Sequence, residues 1–214
     1  MLIDRCDGRY IVGLPDLHGN YDILCALREP ELLCMDMADD PELITNVGRN
    51  LRRGYIEGFK RMYAKLSAAG FGSSTWTPMY HEGPAYVPNC DFWCMVSGEM
   101  AREMILPDIR AEMAAMDRNI FHLDGPNAHR HLDMLLDLPE LDAMQWVYGE
   151  GNGPAARWID TYAHIKERGK AIQLLAAGPD DALAVLERIG TRGVWVCAGG
   201  VGSAEEADAF IDEV

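Results

Sequence analysis

Residues 121–139, FHLDGPNAHRHLDMLLDLP, decide the fold class, because a strand pattern turns into a helix pattern within them. The run NIFHL (119–123) is short and largely apolar, as buried strands are, and Gly125 with Pro126 supplies a turn. The following residues, HRHLDMLLDLP, carry apolar positions at helical spacing. A strand, a turn and a helix in this order form half of a βαβ unit.

The same alternation continues in both directions along the chain. Six segments have strand patterns: 10–14, 72–76, 119–123, 143–147, 171–176 and 193–197. Helical stretches lie between them, among them 41–70, 97–118 with a break near Pro107, and 155–169. Strands that alternate with helices of this length predict an α/β fold with a parallel sheet. No linker or change of composition divides residues 1–214, so we expect a single domain.

Polar side chains lie on or after nearly every predicted strand. In chain order they are Asp16, His18, Tyr80, His81, Glu82, His122, Asp124, Gln145, Tyr148, Glu150, Gln173 and Cys197. Such side chains on one rim are typical of a TIM-barrel type (β/α) barrel, whereas an open sheet gathers them at one switch point. Six βα units cannot close an eight-stranded ring, so we expect the open strands to promote self-association into a homo-oligomer.

Charge and hydropathy exclude several classes of partner. The chain carries 34 acidic and 19 basic residues, and its net charge of −15 argues against binding to nucleic acid or to an anionic membrane surface. No apolar run approaches the ~20 residues that a membrane-spanning helix needs. The first residues, MLIDRCDGRY, lack the apolar run of a signal peptide. The sequence therefore predicts a cytoplasmic protein that acts on a small molecule.

His122 and Asp124 are the strongest candidates for a reactive pair. Residues two apart on a strand share a face, so both side chains point to the same side. They could be metal ligands, a general acid/base pair, or a polar contact that binds nothing. Cys197, also at a strand end, is the best candidate for a third ligand. Histidine, carboxylate and thiolate together would suit zinc.

Three segments of the chain resemble the uroporphyrinogen decarboxylase superfamily, which joins porphyrin decarboxylases to corrinoid-dependent methyltransferases. They are DGRYIVGLPDLHGNYDILCALREPELLCMDMADDPELI, CDFWCMVSGEMAREMILPDI and FHLDGPNAHRHLDMLLDLPELDAMQWVYGEGNGP. The resemblance covers nearly the whole chain. It implies the later part of a (β/α)8 barrel, with roughly the first two βα units absent.

The two branches of that superfamily imply different sites. The decarboxylases have an arginine-rich segment near the N-terminus and a histidine near the last strand, where this chain reads VCAGGVG. The methyltransferases hold zinc with a strand-borne His-x-Cys and a later Cys; the matching positions are His122, Asp124 and Cys197. The resemblance thus implies zinc as cofactor and a corrinoid as exchange partner. A carboxylate in place of a thiolate would make the zinc more electrophilic.

From the resemblance we expect a zinc-dependent methyltransferase that passes a methyl group between a small substrate and a corrinoid. A porphyrin-type decarboxylase is one alternative, and a catalytically inactive binding or assembly module is another. The expected substrate-binding residues are Asp16, His18, Tyr80, Gln145 and Gln173, and the expected catalytic residues are Glu82 and Asp91. Turn chemistry, solvation and helix capping are the ordinary roles that these polar residues could have instead.

Overall fold

A computed structural model of the chain describes residues 2–214. The chain divides into two compact units, one up to Asn119 and one from Ile120 to Val214. We call them the N-terminal unit and the C-terminal unit. The expectation of one domain over residues 1–214 stays a prediction.

The N-terminal unit is mainly helical. Its helices are α1 (Leu2–Cys6), α2 (Asn20–Arg28), α3 (Pro30–Asp39), α4 (Pro41–Ala68), α5 (Gly98–Met100) and α6 (Leu106–Met113). A proline begins both α3 and α4, where a missing N–H costs no helical hydrogen bond. The Asp40 side chain caps α4 by accepting from the Leu43 N–H at 3.0 Å.

The break predicted near Pro107 lies at a π-helical turn. Residues Ala101–Ile105 form this turn between α5 and α6. Pro107 has no N–H with which to continue a regular hydrogen-bond ladder, and the wider turn accommodates it.

Three strands of two residues complete the N-terminal unit: β1 (Ser73–Ser74), β2 (Tyr80–His81) and β3 (Ala85–Tyr86). The prediction of a strand at 10–14 is wrong, because Leu14 makes one backbone hydrogen bond, to the Ser74 carbonyl at 2.7 Å, and the segment has no strand partner. Pro15 has no N–H to donate to a neighbouring strand. The Leu17 N–H donates to the side-chain hydroxyl of Tyr86 and not to a backbone carbonyl. The predicted strand at 72–76 shrinks to β1, which pairs antiparallel with β2.

Strands β4 (Arg118–Asp124), β5 (Ala143–Val147), β6 (Ala171–Ala176) and β7 (Val194–Ala198) confirm the last four predicted strands. They continue from β3 as a parallel five-stranded sheet in the order β3-β4-β5-β6-β7. The helices after β4 are α7 (Leu132–Leu136), α8 (Ile159–Glu167), α9 (Pro179–Ile189) and α10 (Ala204–Glu213). The protein is therefore a mixed α/β structure in which helices flank a parallel sheet.

Side chains on β4 alternate as its sequence predicts. Phe121 and Leu123 are fully buried, whereas His122 and Asp124 on the opposite face are half-buried. Within residues 2–214, every helix is too short or too polar to cross a bilayer.

Candidate functional site

Four polar side chains form a continuous chain of contacts across β4, β5, β6 and β7. Nδ1 of His122 contacts Oε1 of Gln145, and Nε2 of Gln145 donates to Oε1 of Gln173 at 2.7 Å. Nε2 of Gln173 donates to Sγ of Cys197 at 3.6 Å. We call His122, Gln145, Gln173 and Cys197 the amide row.

Strand register produces the amide row. His122 lies opposite Gln145, and Gln145 lies opposite Gln173, in neighbouring parallel strands. The two glutamines are only 2% and 1% exposed, so each amide needs partners inside the protein. Side chains at matched positions of adjacent strands are close enough to satisfy one another. The two buried glutamines of the amide row are therefore held by each other and by the partly buried His122 and Cys197 at its ends.

The hydrogen bonds of the amide row have a consistent direction. Each glutamine uses its NH₂ group toward β7, so its carbonyl oxygen faces β4. The oxygen of Gln145 can only accept, and Nδ1 of His122 must therefore donate to it. In a neutral imidazole that proton on Nδ1 makes Nε2 the nitrogen with the lone pair. Such a nitrogen can act as a base or as a metal ligand.

Asp124 lies beside His122 on the same face of β4. One of its carboxylate oxygens is within 4.8 Å of a ring nitrogen of His122. Imidazole nitrogen and carboxylate oxygen are both ordinary zinc ligands, so the pair fits the chemistry of that ion.

Cys197 does not join His122 and Asp124 in this arrangement. It lies at the other end of the amide row, with two glutamine side chains between it and His122. Across residues 2–214, Cys197 belongs to no group of three histidine, cysteine or acidic residues whose ligand atoms lie within 4.8 Å of one another. The structure thus brings together two of the three residues that the resemblance implies as metal ligands.

Asp16 and His18 lie in the extended segment before α2, in the N-terminal unit. Nε2 of His18 is 3.4 Å from Asp16, and Nδ1 is 3.5 Å from Asp22. The Asn89 amide contacts the same Nδ1 at 3.2 Å. Sequence patterns do not indicate Asp22 or Asn89 as site residues, since neither follows a predicted strand. His18 is therefore oriented by several polar neighbours within its own unit.

Asp91 is exposed and begins the 3₁₀ helix Phe92–Met95. The carboxylate of Asp22 accepts from the backbone N–H groups of Asp91 at 3.1 Å and Phe92 at 2.9 Å. His18, Asp22 and Asp91 offer ligand atoms within 4.8 Å of one another. Because Asp22 already satisfies the start of the 3₁₀ helix, its first role is capping.

Tyr80 and Glu82, the remaining expected site residues, lie on and after β2 in the N-terminal unit. Tyr80 is 54% exposed, and its hydroxyl accepts from the Gly72 N–H at 3.2 Å. Glu82 is also exposed, and its backbone carbonyl accepts from the Tyr63 hydroxyl at 3.2 Å. Their expected roles in substrate binding and catalysis stay predictions.

Glu112 is a buried carboxyl group that no sequence pattern indicates. It is fully buried, and its two oxygens accept from the backbone N–H and the side-chain amide of Asn20, each at 2.9 Å. Burial raises the pKa of Glu112 to about 8, although the two hydrogen bonds from Asn20 oppose the shift. A Cβ atom on Gly19 would lie 2.4 Å from Oε1 of Glu112, so this approach requires glycine. On a helix with ordinary amphipathic spacing, nothing distinguishes such a glutamate from a surface one.

Comparisons with protein-family models, with curated proteins and with solved structures found no match for this chain.

Proposed function

We propose that this protein is a zinc-dependent methyltransferase, built on a partial (β/α) barrel of the uroporphyrinogen decarboxylase type. In this proposal it passes a methyl group between a small substrate and a corrinoid. The observation that carries the proposal is the orientation of His122: the amide row fixes its proton on Nδ1, and the Asp124 carboxylate lies beside it. Metal-binding histidines are commonly oriented in this way, by a hydrogen bond at the nitrogen that does not bind the metal.

His122 and Asp124 would hold the ion, and the residues behind them would hold His122. When bound, zinc supplies a Lewis acid for the methyl-bearing substrate. Gln145 keeps the imidazole in the tautomer that presents Nε2, and Gln173 keeps Gln145 from turning over. Because both glutamines are buried, water does not compete for these hydrogen bonds.

Metal content tests this proposal directly. Untagged protein is loaded with zinc, freed of excess ion and measured by plasma mass spectrometry. We expect about one zinc per chain, lost in His122→Ala and in Asp124→Ala. His164→Ala is the matched control, because His164 lies in the same unit, pairs with Asp133 at 2.6 Å and has a 41% exposed side chain. Zinc bound equally by wild type and His122→Ala would contradict the proposal.

The corrinoid part of the proposal has its own test. Visible spectra of methylcobalamin and of a porphyrin are recorded with and without the zinc-loaded protein. We expect the protein to perturb the corrinoid bands and to leave the porphyrin bands unchanged. The reverse result would contradict methyl transfer and favour decarboxylation.

Decarboxylation of a polyacid is a second candidate, and the position of Cys197 favours it. Because Cys197 lies at the far end of the amide row, His122 and Asp124 stand together without a third ligand from that residue. Acid/base catalysis needs only two such groups, one acid and one base. In that reaction Nε2 of His122 would move the proton that replaces the lost carboxyl group. Activity without zinc that disappears in His122→Ala would support this candidate.

A further inference from the structure

A cavity in the N-terminal unit lies between α4 and the segment before α2. Its volume is about 390 Å³, within the range of small-molecule sites. Gly54, Tyr55, Gly58 and Phe59 line it from α4, and Leu17 and His18 line it from the other side. His18 is the one residue of its lining that can carry charge. The cavity is therefore suited to an uncharged, largely apolar molecule.

Tyr55 lines this apolar cavity and is a residue with a hydrogen-bonding hydroxyl. The residue is only 9% exposed, and among residues 2–214 no hydrogen bond reaches its hydroxyl. Burial raises the pKa of Tyr55 well above its usual value, and the neighbouring charges of Glu112 and Asp16 act in the same direction. The hydroxyl therefore keeps its proton and can donate it. Because no group among the described residues accepts from this hydroxyl, a ligand oxygen can take its hydrogen bond.

Gly54 and Gly58 form the floor of the cavity, one helical turn apart. A Cβ atom at either position would meet nothing within 4 Å, so packing in this structure does not require glycine there. Each glycine nevertheless makes α4 less stable than alanine would. Gly48 on the same helix differs, because its Cβ would lie 3.0 Å from Oδ2 of Asp108. The two floor glycines leave bare backbone on which a flat molecule can lie.

We propose that this cavity binds a small, uncharged, planar molecule with one hydrogen-bond acceptor, which receives a hydrogen bond from the Tyr55 hydroxyl. The ring lies over Gly54 and Gly58 and contacts Leu17 and Phe59. His18 stands at the open side, where its side chain is 46% exposed. This site is distinct from the His122 and Asp124 pair and does not depend on the function proposed for that pair.

Two fluorinated probes of the same shape test the acceptor. The probe 4-fluoroacetophenone carries a carbonyl oxygen, and 4-fluoro-α-methylstyrene carries a CH₂ group in its place. Their binding to the full chain is measured by fluorine NMR titration. We expect the ketone to bind with a Kd of about 1 mM or tighter, and about five-fold more tightly than the styrene, since one neutral hydrogen bond separates them.

Variants on α4 assign the contact. Tyr55→Phe should abolish the preference for the ketone, while Tyr63→Phe should preserve it, because the Tyr63 hydroxyl donates to Glu82 outside the cavity. Gly58→Leu should weaken binding of both probes at least ten-fold by filling the cavity. Ala64→Leu, at an exposed position of the same helix, should leave binding unchanged.

Three results would overturn the proposal. They are equal affinity for the two probes in wild type, a preference that survives Tyr55→Phe, or unchanged binding in Gly58→Leu. Circular dichroism on each variant separates a lost site from a lost fold. If Gly58→Leu alters self-association in sedimentation and not probe affinity, the glycine floor is a contact between chains and the proposal is wrong.

Discussion

Glu112 makes the stability of the fold depend on pH. Its pKa is raised from an ordinary value of 4.5 to about 8 by burial. Below pH 4.5 the carboxyl is protonated in the folded and the unfolded chain alike, and it lowers stability least there. Between these two values the folded chain keeps a proton that the unfolded chain has lost, so stability falls as pH rises. Above about pH 8 the loss is complete.

We predict that Glu112→Gln flattens this dependence. In wild type Glu112 contributes a decline of up to ~1.4 kcal/mol per pH unit in the free energy of unfolding between its two pKa values. Urea unfolding of both proteins at several pH values across that range measures the difference in slope. Glu103→Gln, at an exposed position of the same unit, should behave like wild type. Parallel slopes for wild type and Glu112→Gln would contradict the prediction.

Gln145 is predicted to act on zinc through His122. Gln145→Leu removes the acceptor that holds Nδ1, so the zinc affinity should fall by about 10- to 100-fold. Gln173→Leu, one residue further along the amide row, should cause a smaller loss. Competition titration with a zinc chelator gives both values. A Gln145→Leu protein with wild-type affinity would mean that the amide row is structural only.

At the level of single elements, α4 contains a glycine that lowers the stability of the helix and that alanine could replace. Gly54→Ala should raise the free energy of unfolding by about 1 kcal/mol, because alanine favours the helix and its Cβ meets no neighbour within 4 Å. Thermal unfolding should show an increase of about 2–4 °C in Tm. Gly48→Ala should gain less or lose stability, since its Cβ would lie 3.3 Å from the Tyr21 ring. Equal effects at both positions would contradict this account of α4.

Comparison of the elements shows what sequence patterns can and cannot predict. Strands β4 to β7 were predictable because each is a short apolar run between turn residues, with a helix pattern after it. The segment 10–14 has the same local pattern, but it lacks a partner strand, and partners are not visible in a local pattern. For the site, the strand patterns predicted His122, Asp124, Gln145 and Gln173 on one rim. They could not show that two amides would stand between His122 and Cys197, because that depends on register and side-chain direction.

At the level of the whole molecule, β7 is the edge strand of the sheet formed by the described residues. The Gly193 carbonyl and the Gly199 N–H bond to β6, each at 2.9 Å. The alternation of a parallel ladder then turns the N–H of Val196 away from β6. An unpaired edge of this kind can add a strand from another chain.

We predict concentration-dependent self-association through β7. Sedimentation velocity across the micromolar range should show species larger than the monomer. Val196→Pro removes the outward N–H and should shift the distribution toward monomer. The control is Leu27→Ser, at a 75% exposed position of α2. A proline at this position would break the helix and cannot serve as the control. A monodisperse monomer throughout would contradict the prediction.

The direction of the hydrogen bonds in the amide row couples Cys197 at one end to His122 at the other. Each glutamine amide donates at one end and accepts at the other, so neither can turn over alone without placing two donors or two acceptors face to face. If Cys197 changed from receiving a hydrogen bond to giving one, both amides would have to reverse. His122 would then carry its proton on Nε2 and lose its ability to bind an ion there. A reversed hydrogen bond at the Cys197 thiol, on the edge strand, would thus change the tautomer of His122 three strands away.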